Sequence, residues 1–107
     1  MVDFNPTQGS EINKIRPAVV VNSDAVGKLP LRMVVPLTRW RDEFAGNLWH
    51  VQIDPTKANG LTQVDAADTF QTRSVSIERF RERKGRISAS LVREIVIAIA
   101  AVIEYDA

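Results

Sequence analysis

Apolar and polar positions divide the 107-residue chain into short extended runs, closed by one stretch with helical spacing. "VDF" at residues 2–4 reads as the stump of a strand, and "AVVV" at residues 18–21 as a continuous β-branched run suited to a buried strand. Between them lies a polar, breaker-rich loop, residues 5–15, so the opening reads as a hairpin with more loop than a tight turn needs. "LRMVVPLT", residues 31–38, is a second apolar run, and Pro36 near its end suggests an edge position or a bulge. "NLWHVQI", residues 47–53, alternates: Trp49, Val51 and Ile53 face one way, and Leu48, His50 and Gln52 the other. "DPTKANG" is a turn by composition. "TFQTRSVSI", residues 69–77, alternates again, and "RKGRIS" reads as a turn with a short extended piece.

The last element is the clearest helix. Ser88 is an N-cap ahead of "ASLVREIVIAIAAVIEY". Leu91, Ile95, Ala98, Ile99, Val102 and Ile103 share one face, and Val92 and Val96 widen it toward a second face that can meet a partner chain. No strand–helix–strand alternation appears, which argues against a parallel sheet. The pattern predicts one domain over residues 1–107, mainly β: a small, partly open, mostly antiparallel barrel with a C-terminal helix.

Composition narrows the chemistry. Net charge is +1, which argues against a general electrostatic binder of duplex nucleic acid and leaves room for a local basic site. The absence of cysteine removes disulfides and thiol chemistry. The opening residues lack the basic and apolar segments of a secretory leader, and the longest uncharged apolar run, residues 95–103, is too short to span a bilayer. These features predict a cytoplasmic protein without a membrane segment. One histidine and no cysteine leave no zinc kit, and the carboxylates of "RDEF" read as solvated charges, so no metal or other cofactor is expected. A two-histidine nuclease cannot be built from one chain. Single glycines replace any phosphate-cradling loop.

What remains is arginine, carboxylate and hydroxyl. That kit suits cleavage of RNA, whose 2′-hydroxyl serves as its own nucleophile. The protein then has to bind the phosphate, stabilise developing charge and move protons. The planar fork of arginine fits a phosphate, and a carboxylate is the better base.

"DFNPTQGSE…RPAVVV", then "MVVPLT", then "IERF", "GRIS" and the amphipathic helix resemble the MazF/PemK family of toxin endoribonucleases, in order and over nearly the whole chain. The resemblance implies an SH3-like barrel of the plasmid-maintenance toxin type and a two-fold homodimer. It also implies metal-independent, sequence-specific cleavage of single-stranded mRNA. By the same resemblance Arg16 and Thr38 are the catalytic pair, Glu11 is the loop glutamate with Ser10 beside it, and Gln71 and Arg73 lie along the RNA groove. The implied partner is an antitoxin whose C-terminal segment occupies that groove. The chain departs from the family pattern in a short first strand, which predicts an exposed sheet edge. It departs again at "GLTQVDAAD", where Asp65 stands near a usual serine and altered sequence preference is expected.

Each residue also has a plainer reading. Pro17 restricts Arg16 to an extended backbone at the mouth of a strand, so function outweighs a chance surface arginine there. Thr38 alone would be an ordinary strand end, and Glu11 an ordinary solvated loop residue, either base or loop organiser. Trp40, in the polar loop "TRWRDEF", can reach RNA, where base stacking contributes roughly 1–3 kcal/mol per base. Trp49 reads as core, and His50 as structural or groove-lining rather than catalytic. Arg73, Arg79, Arg81, Arg83, Lys84 and Arg86 form a basic rim able to attract RNA or an acidic segment. The rival reading is a non-catalytic toxin on the same barrel that inhibits a protein target such as gyrase, with no use for Arg16 or Thr38.

Overall fold

The computed structural model describes residues 1–105. The strands are β1 (Val2–Asp3), β2 (Ile15–Arg16), β3 (Ala18–Val20), β4 (Leu31–Arg39), β5 (His50–Ile53), β6 (Asp65–Asp68) and β7 (Arg73–Ser76). A single α-helix, α1 (Ala89–Val102), ends the described fold. Every strand pairing is antiparallel. The pair β1–β2 forms a small sheet, and β3–β4–β6–β5 a larger one to which β7 adds through β4. These sheets curl around the core without closing into a barrel.

β4 organises the molecule. Val35 and Leu37 face one core cluster with Ile53, Ala67 and Ile95, while Val34 faces the other with Val2, Phe4 and Val75. The period-two alternation of a strand thus buries both faces of β4. The edge position suggested by Pro36 is incorrect: Pro36 is fully buried, and β4 is paired along both sides. The Val21 N–H donates to the Met33 carbonyl, and the Leu37 N–H to the Pro17 carbonyl, so odd-numbered residues of β4 address β3. Pro36 therefore turns its donor-less nitrogen to the opposite side. There the partner changes from β7, ending at Val34–Arg73, to β6, beginning at Leu37–Ala67. The missing N–H falls in that gap, where no ladder bond is required.

Four further expectations are revised. β6 is a central strand hidden in "GLTQVDAAD", with Ala66 and Ala67 fully buried between β4 and β5. Alanine and aspartate are weak β-formers, so burial rather than propensity makes this strand. Within residues 69–77 only β7 is extended, because Thr69–Gln71 form a 3₁₀ turn capped by Asp68, which accepts from the Phe70 N–H. β3 is half-buried rather than buried. The short first strand is not an open edge, since Val2 pairs with Arg16 on one side and bridges Phe80 on the other. Arg81 adds an ion pair to Asp3 at 3.0 Å, and Arg79 donates to the carbonyls of Asp3 and Asn5.

Ser88 caps α1 as expected, accepting from the Leu91 N–H. Ile95 and Ala98 are its buried residues; Ile103 lies beyond the helix and is 69% exposed. The helix packs on β5 and on the 69–71 turn. Gly85 lets the 84–86 segment cross the 58–60 turn at van der Waals distance: a Cβ there would stand 2.1 Å from the Ala58 carbonyl oxygen. Ile95→Ala is expected to lower unfolding free energy by about 2–5 kcal/mol in denaturant titration, as for other large buried aliphatics. Gly85→Ala is expected to lower the melting temperature through that backbone collision alone.

Candidate active site

The β1–β2 loop is shaped by side chains bonding backbone. Asp3 accepts from the Asn5 N–H and Asn5 from the Lys14 N–H, at 3.0 and 3.1 Å. Oε1 of Glu11 accepts from the Gln8 N–H at 2.7 Å, and the Glu11 N–H returns a bond to the Gln8 carbonyl. Glu11 therefore organises its own loop. Among the described residues its second carboxylate oxygen accepts no hydrogen bond.

Arg16, half-buried on β2, donates Nε to the Asn13 carbonyl at 2.9 Å. That bond leaves the two terminal nitrogens for another acceptor. The Leu37 N–H to Pro17 carbonyl bond extends the β3–β4 register past Ala18–Pro36. One step further sets Arg16 against Thr38, so the topology brings this sequence-derived pair into one corner. Thr38 is half-buried and pairs with Ala66. Next to Ala66, Asp65 is 3% exposed and accepts from Gln63 at 3.1 Å. Burial pushes the Asp65 carboxyl above its usual range, opposed by the Gln63 bond and the Arg16 charge. A buried carboxylate within the field of Arg16 was not foreseen; the sequence signal was Asp65 standing where the family pattern has a serine.

A cleft of about 510 Å³ adjoins the loop. Ser10 and Glu11 form one wall, Gln71 and Arg73 the other, and Pro36 lies at the base. Four of the sequence-derived site residues thus share it. Arg73 also lies over the ring of buried Phe4, 5.9 Å from its centroid. Phe70, beside the expected groove residues Gln71 and Arg73 but not itself among the expected contacts, lines the cleft and is 69% exposed. An exposed aromatic at a cleft is a stacking platform for a base.

Trp40 and His50 belong to a ring network instead. Trp40 meets Phe44 edge-on at 5.8 Å, and Phe44 stacks on His50 at 3.9 Å. Trp49 touches both His50 and Phe70. The His50 side chain is 8% exposed, 3.8 Å from Asp68 and within 3.1 Å of Asn47. Burial lowers its pKa, against the pull of Asp68. Burial likewise raises the Asp68 carboxyl, countered by His50 and by the backbone N–H groups of Phe70 and Gln71. The basic rim is smaller than the sequence suggests, because Arg79 and Arg81 hold β1. Arg83, Lys84 and Arg86, together with Arg81, border a second, largely apolar groove of about 520 Å³ that also takes in Val92. Among the described residues no three histidine, aspartate or glutamate side chains are grouped to hold a metal ion.

Residues 1–103 match the family of PemK-like, MazF-like toxins of type II toxin–antitoxin systems. The chain belongs to this family. It is 34% identical over 96 residues to Endoribonuclease MazF9 of Mycobacterium tuberculosis, covering 83% of this chain and 78% of that protein. It is 28% identical over 99 residues to Endoribonuclease MazF of Staphylococcus saprophyticus, covering 92% and 82%. The fold superposes on MazF of Deinococcus radiodurans with a TM-score of 0.76 at 23% identity, covering 96% of this chain and 89% of that one. It also superposes on the MazE–MazF complex of the same organism, with a TM-score of 0.72 at 22% identity over 98% and 90%. The MazF/PemK fold is thus reached here through open antiparallel sheets and a single C-terminal helix.

The His50 site has a pH signature. With its folded pKa below the ordinary histidine value of 6.5, the native state favours the neutral ring. Its contribution is full above about 6.5 and is lost as pH falls through the lower folded value. Asp65 and Asp68, both raised, act oppositely: their contribution is lost as pH rises from the unfolded value of 3.8 through the raised values. Thermal melts are expected to show the wild type losing stability relative to His50→Gln as pH falls from about 7 to about 5.5. Equal slopes would remove His50 as the cause.

Proposed function

We propose that the chain is the endoribonuclease toxin of a toxin–antitoxin pair, cleaving single-stranded mRNA at a short motif without a metal ion. What supports this reading is the cleft lined by Glu11, Arg73 and the exposed Phe70, with the β3–β4 register carrying Arg16 toward Thr38 near its base. In the reaction the substrate's 2′-oxygen attacks the adjacent phosphorus. A P–O2′ bond forms, the P–O5′ bond breaks, and the products are a 2′,3′-cyclic phosphate and a 5′-hydroxyl. The 2′-hydroxyl proton passes to a base, and the departing 5′-oxygen gains one.

The side chains divide these tasks. The two terminal nitrogens of Arg16 grip two phosphate oxygens and stabilise the charge that builds on them. Arg16 is also the candidate donor to the leaving oxygen. The Thr38 hydroxyl bonds a phosphate oxygen. The unengaged oxygen of Glu11 is the candidate base, its other oxygen holding the loop. Ser10, Arg73 and Phe70 contact the flanking nucleotides.

The partners follow from the same frame. An antitoxin segment in the cleft would exclude RNA, in keeping with the Deinococcus complex named MazE–MazF. Leu31 and Met33, 42% and 44% exposed on the central strand, suit coverage by a second copy in a homodimer. No described helix is long and apolar enough to cross a membrane, and the proposed substrate places the action in the cytoplasm.

The test is cleavage of a long single-stranded RNA in chelator, with product ends mapped. Discrete cuts bearing 5′-hydroxyl ends are expected. Arg16→Ala is expected to lower kcat by at least about 100-fold, the scale of losing one charge-stabilising donor, with its unfolding transition retained. Full activity in folded Arg16→Ala would overturn the assignment.

A further inference from the structure

Gln71 ends the 3₁₀ turn, and that turn is fixed from several sides. The Thr69 N–H and hydroxyl both donate to the Trp49 carbonyl, at 2.9 and 2.8 Å. The Thr72 hydroxyl donates back to the Thr69 carbonyl at 2.7 Å, Asp68 caps the start, and α1 packs on the turn. From this anchored base the Gln71 carboxamide reaches across the cleft. Its Oε1 accepts from the Ile12 N–H at 2.7 Å, and its Nε2 donates to the Ser10 carbonyl at 2.9 Å. The two bonded backbone groups flank Glu11. Both carboxamide functions are thereby engaged with the loop.

We propose that Gln71 is a positioning residue for cleavage rather than a direct reader of RNA. Its carboxamide imitates one rung of a β-ladder, with a donor and an acceptor matched to a backbone carbonyl and N–H. The flanking strands β1 and β2 are two residues each, too short to set the middle of the loop by ladder bonds alone. Gln71 links that loop to the part of the fold supported by α1, and so sets Glu11 against the cleft. The inference rests on the endoribonuclease reading for its activity readout, while its loop readout does not.

Gln71→Glu supplies a specific test. As a carboxylate, the new group sets a charged oxygen against the Ser10 carbonyl oxygen, and that repulsion drives the side chain out of the loop, so the bond from the Ile12 N–H is lost as well. Protonated, it regains both bonds in nearly the original shape. Bonding to the neutral form raises its pKa above the ordinary glutamate range. The charged and titratable groups around it are Glu11 on the loop, Arg73 in the cleft, Asp68 at the cap and His50 behind it. Referring each value to wild type at the same pH divides out their titration.

At pH near 7.5, Gln71→Ala and Gln71→Glu are both expected to speed Ile12 amide exchange about tenfold, the scale of one lost hydrogen bond. Each is expected to lower kcat/KM on a short single-stranded RNA by a similar factor. As pH is lowered toward about 5, Gln71→Glu is expected to recover both values relative to wild type, and Gln71→Ala to recover neither. Unchanged Ile12 exchange in Gln71→Ala would overturn the proposal, as would a flat Gln71→Glu to wild-type ratio across the pH range. Should the wild type cut no RNA, the exchange measurements still decide the role of Gln71, and it is the endoribonuclease reading that fails.

Discussion

The fold depends on burying β4 on both faces while bonding it along both edges. A strand in that position has almost no freedom of register, because a slip of one residue would exchange Val34 for Val35 between two different cores. Everything that forms the cleft is indexed to it. β3 follows β2 through Pro17 and carries the register back to Arg16. β6 and β7 divide its other edge between them. The fork between these two strands leaves a place where no backbone donor is needed, and Pro36 occupies it. The base of the cleft is thus a by-product of how the sheet splits.

Around that fixed strand the site is assembled from pieces with little regular structure. The 5–14 loop and the 69–71 turn are held by side chains of asparagine, aspartate, glutamate, glutamine and threonine bonded to backbone groups. Such bonds are short-range and directional, so they fix a loop without needing a large apolar face. Helix α1 reaches the site only indirectly, by packing on the turn that carries Gln71. The aromatic chain from Trp40 to Phe70 runs to the same turn from the other direction.

The parts legible in the sequence are those with a local cause. The hairpin, the long β4 run and the Ser88 cap all follow from adjacent residues, and the Arg16 and Thr38 motifs stood out because Pro17 and Pro36 flag their surroundings. The illegible parts have distant causes. β6 is a strand because β4 and β5 enclose Ala66 and Ala67; "DAAD" itself reads as polar and weakly extended. Proline in a strand usually marks an edge, and nothing near Pro36 discloses that two different partners meet beside it. Arg79 and Arg81 look like free cations until the N-terminal strand is seen beneath them. Gln71 reads as one member of an alternating strand, whereas its surroundings are set by a cap at Asp68 and a loop some 60 positions earlier.

Within the β1–β2 loop, the residues that fix its path and those at its tip are different residues. Asn5, Glu11 and Gln71 hold the backbone, whereas the side chains of Thr7 and Gln8 enter none of those bonds. The tip can therefore be rewritten over evolutionary time while the frame around the proposed site stays put. A lineage of such enzymes could diversify the RNA motifs it cuts by drift in a few unconstrained positions, without first having to invent a new fold.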